Sequence, residues 1–259
     1  VLDLNLVVRL FKLHTHFPNI FSTHFLYIYI YMSYTIIITA SYIPSHPSIK
    51  IIKETIESLK YINMDENTLI ILAHDYNNNP NYYRYFQNLS NYIKNKRNIK
   101  IICTKVKGHL TGNIRNAFSY VNTKYVLIIQ HDLPFISEFY INDVIEDMEN
   151  YSILKHVRFN KRNNVKLIFD SLNNLFGAQL KAINYIYTRT PGWSDNNHLC
   201  RADYYRNIVL KECKDGKPME SYLHGLSKNE EIHYKYGTFL FGPLNHKQMI
   251  KHTDGRNTL

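Results

Sequence analysis

TIIITA at residues 35–40, TLIILA at 68–73, NIKIICT at 98–104 and KYVLIIQ at 124–130 recur along the first half of the chain. Each is a short, β-branched run without strict alternation, the pattern of a strand buried on both faces. The segments between them carry a different period. Ile49, Ile52, Ile56 and Leu59 fall at helical spacing, with Pro47 suited to a first turn. Tyr82, Phe86, Leu89 and Ile93 repeat that spacing, as do Ile114, Ala117, Phe118 and Val121. Strands alternating with helices predict an α/β fold, a Rossmann-like, mostly parallel sheet with helices on both faces. Ligands of such sheets bind beyond the carboxyl ends of the strands. The residues to inspect are therefore 39–42, His74-Asp75, 105–112 and Gln130-His131-Asp132, together with the close glycine pair Gly108 and Gly112.

After Phe135 the pattern loosens. Ile141, Val144, Ile145 and Met148 predict one more helix, and residues 153–159 and 165–169 a strand pair around the turn NKRNN. Residues 171–192 are polar and mixed and support no assignment. Upstream, the first Met is Met32, and residues 1–31 show neither a helical nor a strand period. Arg9 and Lys12 precede a weak apolar stretch without a small-residue cleavage site, so no secretory signal is expected. Residues 21–40 are long enough to span a bilayer but include Ser22, Thr23, His24, Ser33, Thr35 and several tyrosines, so no membrane span is expected. Residues 1–31 are expected to be an upstream extension, with 32–259 a single domain.

Composition excludes several classes. The chain has 259 residues, 45% of them hydrophobic, which is too apolar for disorder. Three cysteines without C-x-x-C spacing cannot form a disulfide scaffold and fit a reducing compartment, so the expected location is the cytoplasm or the cytoplasmic face of a membrane. Cys103, inside an expected strand, reads as buried. The net charge of +10 invites a nucleic-acid reading. Its basic residues are dispersed, however, the densest stretch being KNKRNIK at 94–100, and Lys, Asn, Ile and Tyr have A/T-rich codons. No nucleic-acid partner is expected.

A strand ending in TASYIP, an Asp after the second strand, the segment Gly112-x₂-Arg115-Asn116-Ala117 and a fourth strand leading into an Asp-containing triplet stand in a meaningful order. In these features the chain resembles the family-two glycosyltransferases of the GT-A fold, well over residues 34–132 and loosely beyond. The resemblance implies transfer of a sugar from a nucleotide-diphosphate donor to an acceptor hydroxyl, with inversion. It also implies a nucleotide-binding half at 34–135 and a smaller, mixed acceptor-side half at 136–259.

On that resemblance Thr39, Ser41 and Tyr42 lie near the base and ribose, Asp75 contacts the nucleoside, and Arg115 with Asn116 faces the phosphates. The family's Asp-x-Asp reads Gln130-His131-Asp132 here, so one carboxylate is missing. Asp132 is the leading ligand for a divalent cation (Mn or Mg), with His131 and a late histidine, His252, as companions; Arg256 closes over the diphosphate. An inverting transferase needs a carboxylate to take the acceptor's proton. Glu220 in KPMESYLHGL is the favoured base. Asp195 in GWSDNNHLC is the rival, beside Trp193, Asn196, Asn197 and His198, which are expected to form a sugar platform. The incomplete triplet leaves a catalytically impaired nucleotide-sugar-binding protein as the alternative, with a basic nucleic-acid binder behind it.

Overall fold

The computed structural model describes residues 33–167 and 174–253. The expected extension at 1–31 and the site residue Arg256 lie outside these described residues.

Four strands form the heart of the sheet: β1 (Tyr34–Ala40), β2 (Ile70–His74), β3 (Ile99–Cys103) and β4 (Tyr125–Gln130). Helices α1 (Lys50–Glu57), α2 (Tyr82–Ile93) and α3 (His109–Ala117) connect them. All neighbouring pairs among the four are parallel, in the order β3-β2-β1-β4. Every residue of β1 is buried, because β1 is flanked on both edges and its Ile run packs on both faces. The order reverses between β1 and β4, where Thr39 stands beside Gln130. Ligand crevices open at such a switch point.

β3 is the edge of the sheet and is only partly buried. Cys103, expected to be buried, is exposed there because no further strand covers it.

Beyond β4 the sheet becomes mixed. Helix α4 (Ile141–Asn150) leads to β5 (His156–Arg158). A hairpin of β6 (Gln179–Lys181) and β7 (Ile186–Arg189) occupies the stretch that gave no signal. Next comes β8 (His198–Arg201), then α5, a continuous helix of Ala202–Tyr204, a π-helical turn Tyr205–Val209 and Leu210–Glu212. Helices α6 (Glu220–Ser227) and α7 (His233–Tyr236) precede β9 (Thr238–Phe241). Among the described residues the sheet has nine strands, continuing β4-β8-β5-β9-β7-β6.

Among the described residues the strand pair expected around NKRNN does not form, and residues 168–169 of its second strand lie outside them. β5 pairs instead with β8 and β9, and Val165 is 40% exposed. The backbone of Asn164 is bonded to His246 and Asn245 at 3.0 and 2.9 Å, which takes the chain away from β5.

The core runs under the switch point. Ile37, Ile71, Val126 and Ile128 of the parallel strands pack with Ile114 of α3, Trp193, Tyr205 and Leu223. No helix among the described residues is long and apolar enough to cross a membrane.

Candidate functional site

Side chains expected to bind ligand tie the end of β1 to that of β4, and the end of β2 to the loop before α3. Thr39 donates its hydroxyl to the Ile129 carbonyl at 3.3 Å. The Thr39 carbonyl accepts from the His131 amide at 3.0 Å and from His131 Nδ1 at 3.1 Å, which places the ring proton on Nδ1. Ser41 follows at the strand end, partly exposed. Tyr42 is buried and meets Tyr85 edge-on at 5.5 Å, so its ring supports α2 from below.

Asp75 is buried at the end of β2. Its two carboxylate oxygens accept the backbone amides of Gly108 at 2.7 Å and His109 at 3.2 Å. His109 has φ of 53°, uncommon for a residue with a side chain. Asp75 thus holds the loop before α3 in a backbone shape that the chain would not take unaided.

Arg115 turns away from this region. Its guanidinium donates to Asp215 at 3.1 Å and to the carbonyls of Leu210 and Cys213 at 3.1 and 2.8 Å. These bonds fasten α3 to the end of α5. Asn116, partly exposed, follows on the same helix.

At the end of β4, Gln130 occupies the position of the missing carboxylate. Its amide donates to the Asp195 carbonyl at 3.0 Å, and its backbone N–H donates to the Asn197 side chain at 3.0 Å. A carboxylate at 130 would lack that donor, which gives the Gln a structural reason.

Two residues on, Asp132 is buried and His252 Nε2 stands 3.2 Å from its Oδ2. The Asp132 carbonyl accepts from the amide and hydroxyl of Thr253 at 2.9 and 3.1 Å, which delivers His252 to this point. The structure therefore brings together an oxygen and a nitrogen donor that the sequence separates widely. Among the described residues no group of three His, Cys, Asp or Glu side chains converges.

Glu220 and Asp195, rivals in the sequence, form one unit. Glu220 opens α6, where an acidic first turn complements the helix dipole. Its Oε1 accepts the Ser194 hydroxyl at 2.6 Å and the Asp195 amide at 3.2 Å. Burial, then the negative charge of Glu220 and a hydrogen bond to it, raise the Asp195 carboxyl to about 7. The charge of Glu220 thus opposes ionisation of the Asp195 carboxyl, which keeps its proton into the neutral range.

A cavity of about 380 Å³ joins these groups. Gln130, Asp195, Glu220 and His252 line it around the end of β4, and Arg158, Lys161 and Arg162 line it from β5 and the turn that follows, two strands further along the sheet. This basic end, on the β5 side, is carried by the turn NKRNN, which no motif in the sequence marks as part of a site. Trp193 borders the cavity but is 1% exposed. Asn197 and His198 are fully buried, with Asn197 also donating to the Leu133 carbonyl at 2.7 Å. The expected sugar platform of Trp193, Asn197 and His198 is therefore corrected: β8 draws these side chains into the core, where burial lowers His198 to about 4 and keeps it neutral.

The profile of the family described as Guanylyl transferase CofC like matches residues 85–158. The 2-phospho-L-lactate guanylyltransferase of Methanocaldococcus vulcanius is 27% identical over 117 residues, 45% of this chain and 48% of that protein. Among solved structures, S. aureus TarS 1-349 in complex with UDP-GlcNAc has a TM-score of 0.57 at 12% identity, covering 87% of this chain and 59% of that one. The mannosyltransferase PcManGT from Pyrobaculum calidifontis, in complex with GDP-Man and Mn2+, has a TM-score of 0.56 at 8% identity, covering 87% and 58%. The chain thus spans about half the length of the guanylyltransferase and under two thirds of each glycosyltransferase chain. At such identities the likeness is one of fold, and the fold is GT-A.

Proposed function

We propose that this protein transfers a sugar from a nucleotide-diphosphate donor to an acceptor hydroxyl, with inversion at the anomeric carbon. The observation that carries the reading is the carboxyl pair Asp195–Glu220, in one cavity with His252 and, through it, next to Asp132 at the switch point. The nucleoside lies over the ends of β1 and β2, near Ser41 and the loop held by Asp75. The fully ionised pair removes the acceptor's proton as the acceptor oxygen bonds to the anomeric carbon. The bond from that carbon to the diphosphate oxygen breaks, and the nucleotide leaves with the electron pair. Asp195 takes the proton, because its raised affinity suits a base working near neutral pH, and Glu220 holds and tunes it.

Asp132 and His252 fit a divalent cation in kind: one carboxylate and one imidazole meet, a set better suited to Mn than to Mg. When bound, the cation would neutralise charge on the departing diphosphate. Diphosphate oxygens and water complete such a set when protein donors are few.

A second reading is nucleotidyl transfer, favoured by the guanylyltransferase likeness over residues 85–158. There the nucleophile is a phosphate, already ionised, which leaves the carboxyl pair without a task. Incubation with nucleotide sugars and, separately, with nucleoside triphosphates tests both. Sugar transfer releases a nucleoside diphosphate, whereas nucleotidyl transfer releases pyrophosphate. Release of pyrophosphate alone would overturn the first reading, and turnover with neither would leave a binding protein.

A further inference from the structure

The basic end of the cavity has no task in the reaction as described. Arg158 ends β5 and donates to the Gly192 carbonyl at 3.4 Å. Lys161 and Arg162 follow on the turn, and among the described residues neither forms an ion pair. The turn is built to keep its shape. Buried Asn164 donates to the carbonyls of Phe241, Gly242 and Pro243 at 2.8, 3.3 and 3.1 Å. Asn160, buried at the other end, accepts the Met249 amide at 2.9 Å. Two cations are thus presented on an anchored loop, with little ordering left to be done on binding.

The position of this end separates it from the donor. Its residues come from the β8-β5-β9 side of β4, and the cavity includes none from the loops after β1, β2 or β3. A nucleotide over β1 and β2 reaches β4 with its diphosphate, and the acceptor fills the space beyond. Two cations that form no ion pair among the described residues match a dianion better than a single negative charge.

We propose that Lys161 and Arg162 bind a phosphoryl group on the acceptor, so that the substrate receiving the sugar is a phosphorylated alcohol. The proposal rests on the sugar-transfer reading for the word acceptor, whereas the anion site stands without it.

Trp193 is the single tryptophan of the chain and borders the cavity, so its emission, backed by calorimetry, reports occupancy. The full chain is titrated with inorganic phosphate, glycerol 3-phosphate, lactate and glycerol, each with and without saturating UDP or GDP. Phosphate and glycerol 3-phosphate are expected to bind saturably, at least tenfold more tightly than lactate, with glycerol silent. Lys161→Gln/Arg162→Gln should weaken glycerol 3-phosphate at least tenfold with an unchanged melting temperature, and Arg162→Lys should stay within a few-fold of the parent. The nucleoside diphosphates should shift the dissociation constant less than threefold. Competition by UDP or GDP would assign the cations to the donor and overturn the proposal, as would unchanged affinity in the double variant or no binding of either phosphate. The two readings fail separately. Binding as expected without turnover of any nucleotide sugar removes sugar transfer and leaves the anion site. Equal turnover on glycerol and glycerol 3-phosphate keeps sugar transfer and removes the phosphorylated acceptor.

Discussion

Asp195 keeps its proton up to about 7 because burial and the Glu220 carboxylate both penalise its ionised form. If it takes the acceptor's proton, kcat/KM should rise with pH with a midpoint near 7, the value of the free pair. Glu220→Gln removes the charge that raises Asp195, so the midpoint should move down. A profile flat from pH 5 to 9 would remove Asp195 from this role. The same shift predicts a stability effect of definite sign. The folded state holds the Asp195 proton up to about 7, while an unfolded Asp releases it near 3.8. Between those values the folded chain binds more protons, so stability falls as pH rises through the window. Above it, two like charges sit together with nothing gained for folding. Asp195→Asn should therefore raise the melting temperature at pH 8 by about 2–4 °C, the shift that about 1 kcal/mol makes in a domain this size. At pH 4 the two proteins should melt alike.

At the scale of elements, the β6–β7 hairpin depends on one buried carboxylate. Asp147 of α4 accepts the amides of Asn184 and Tyr185 at 2.9 and 3.0 Å and the Tyr187 hydroxyl at 2.7 Å. All three partners are donors. Tyr187→Phe removes one charge-assisted bond and should cost about 1.5–3 kcal/mol. Asp147→Asn should cost more, because its amide N–H₂ would face donors; urea unfolding of both variants checks the order. Equal, small losses would mean that the hairpin is held elsewhere. Asp147 also marks where the sequence stopped being informative. β1 to β4 are legible because each is a continuous apolar run followed by its own helix, so the pattern and the partner lie close together. β5 to β9 are strands of three or four residues, and apart from the β6–β7 hairpin their pairings join segments far apart along the chain. The apolar start of residues 165–169 suggested a strand, yet the neighbouring Asn164 bonds to the loop after β9. The site divides the same way. Asp132, His252, Asp195 and Glu220 stood out by residue type and by resemblance. The donation from Gln130 to the Asp195 carbonyl did not, because it depends on where a loop 65 residues away comes to rest.

Across the whole molecule, the parallel half and the mixed half share β4, and the end of the described chain returns to it. The Ile136 amide donates to the Met249 carbonyl at 2.9 Å, the Lys251 amide to the Pro134 carbonyl at 3.0 Å, and the Thr253 amide to the Asp132 carbonyl at 2.9 Å. Phe135 and Ile250 form a bridge between them. This pairing carries His252 to Asp132, so the two donors meet only when the chain's last described segment has docked. A cation bound between them would then be linked to that docking, since whatever binds only the docked form stabilises it. Mn2+ with a nucleoside diphosphate should raise the melting temperature of the parent protein and slow hydrogen exchange at the Lys251 and Thr253 amides. His252→Ala and Asp132→Asn should each weaken Mn2+-dependent nucleotide binding by about 10-fold or more, the scale of losing a metal-site partner, while metal-free nucleotide binding changes little. Protection that appears equally in His252→Ala would mean that the cation sits elsewhere. A parent protein whose nucleotide affinity ignores Mn2+ and EDTA alike would instead leave Asp132 and His252 as a pin that joins this segment to the switch point.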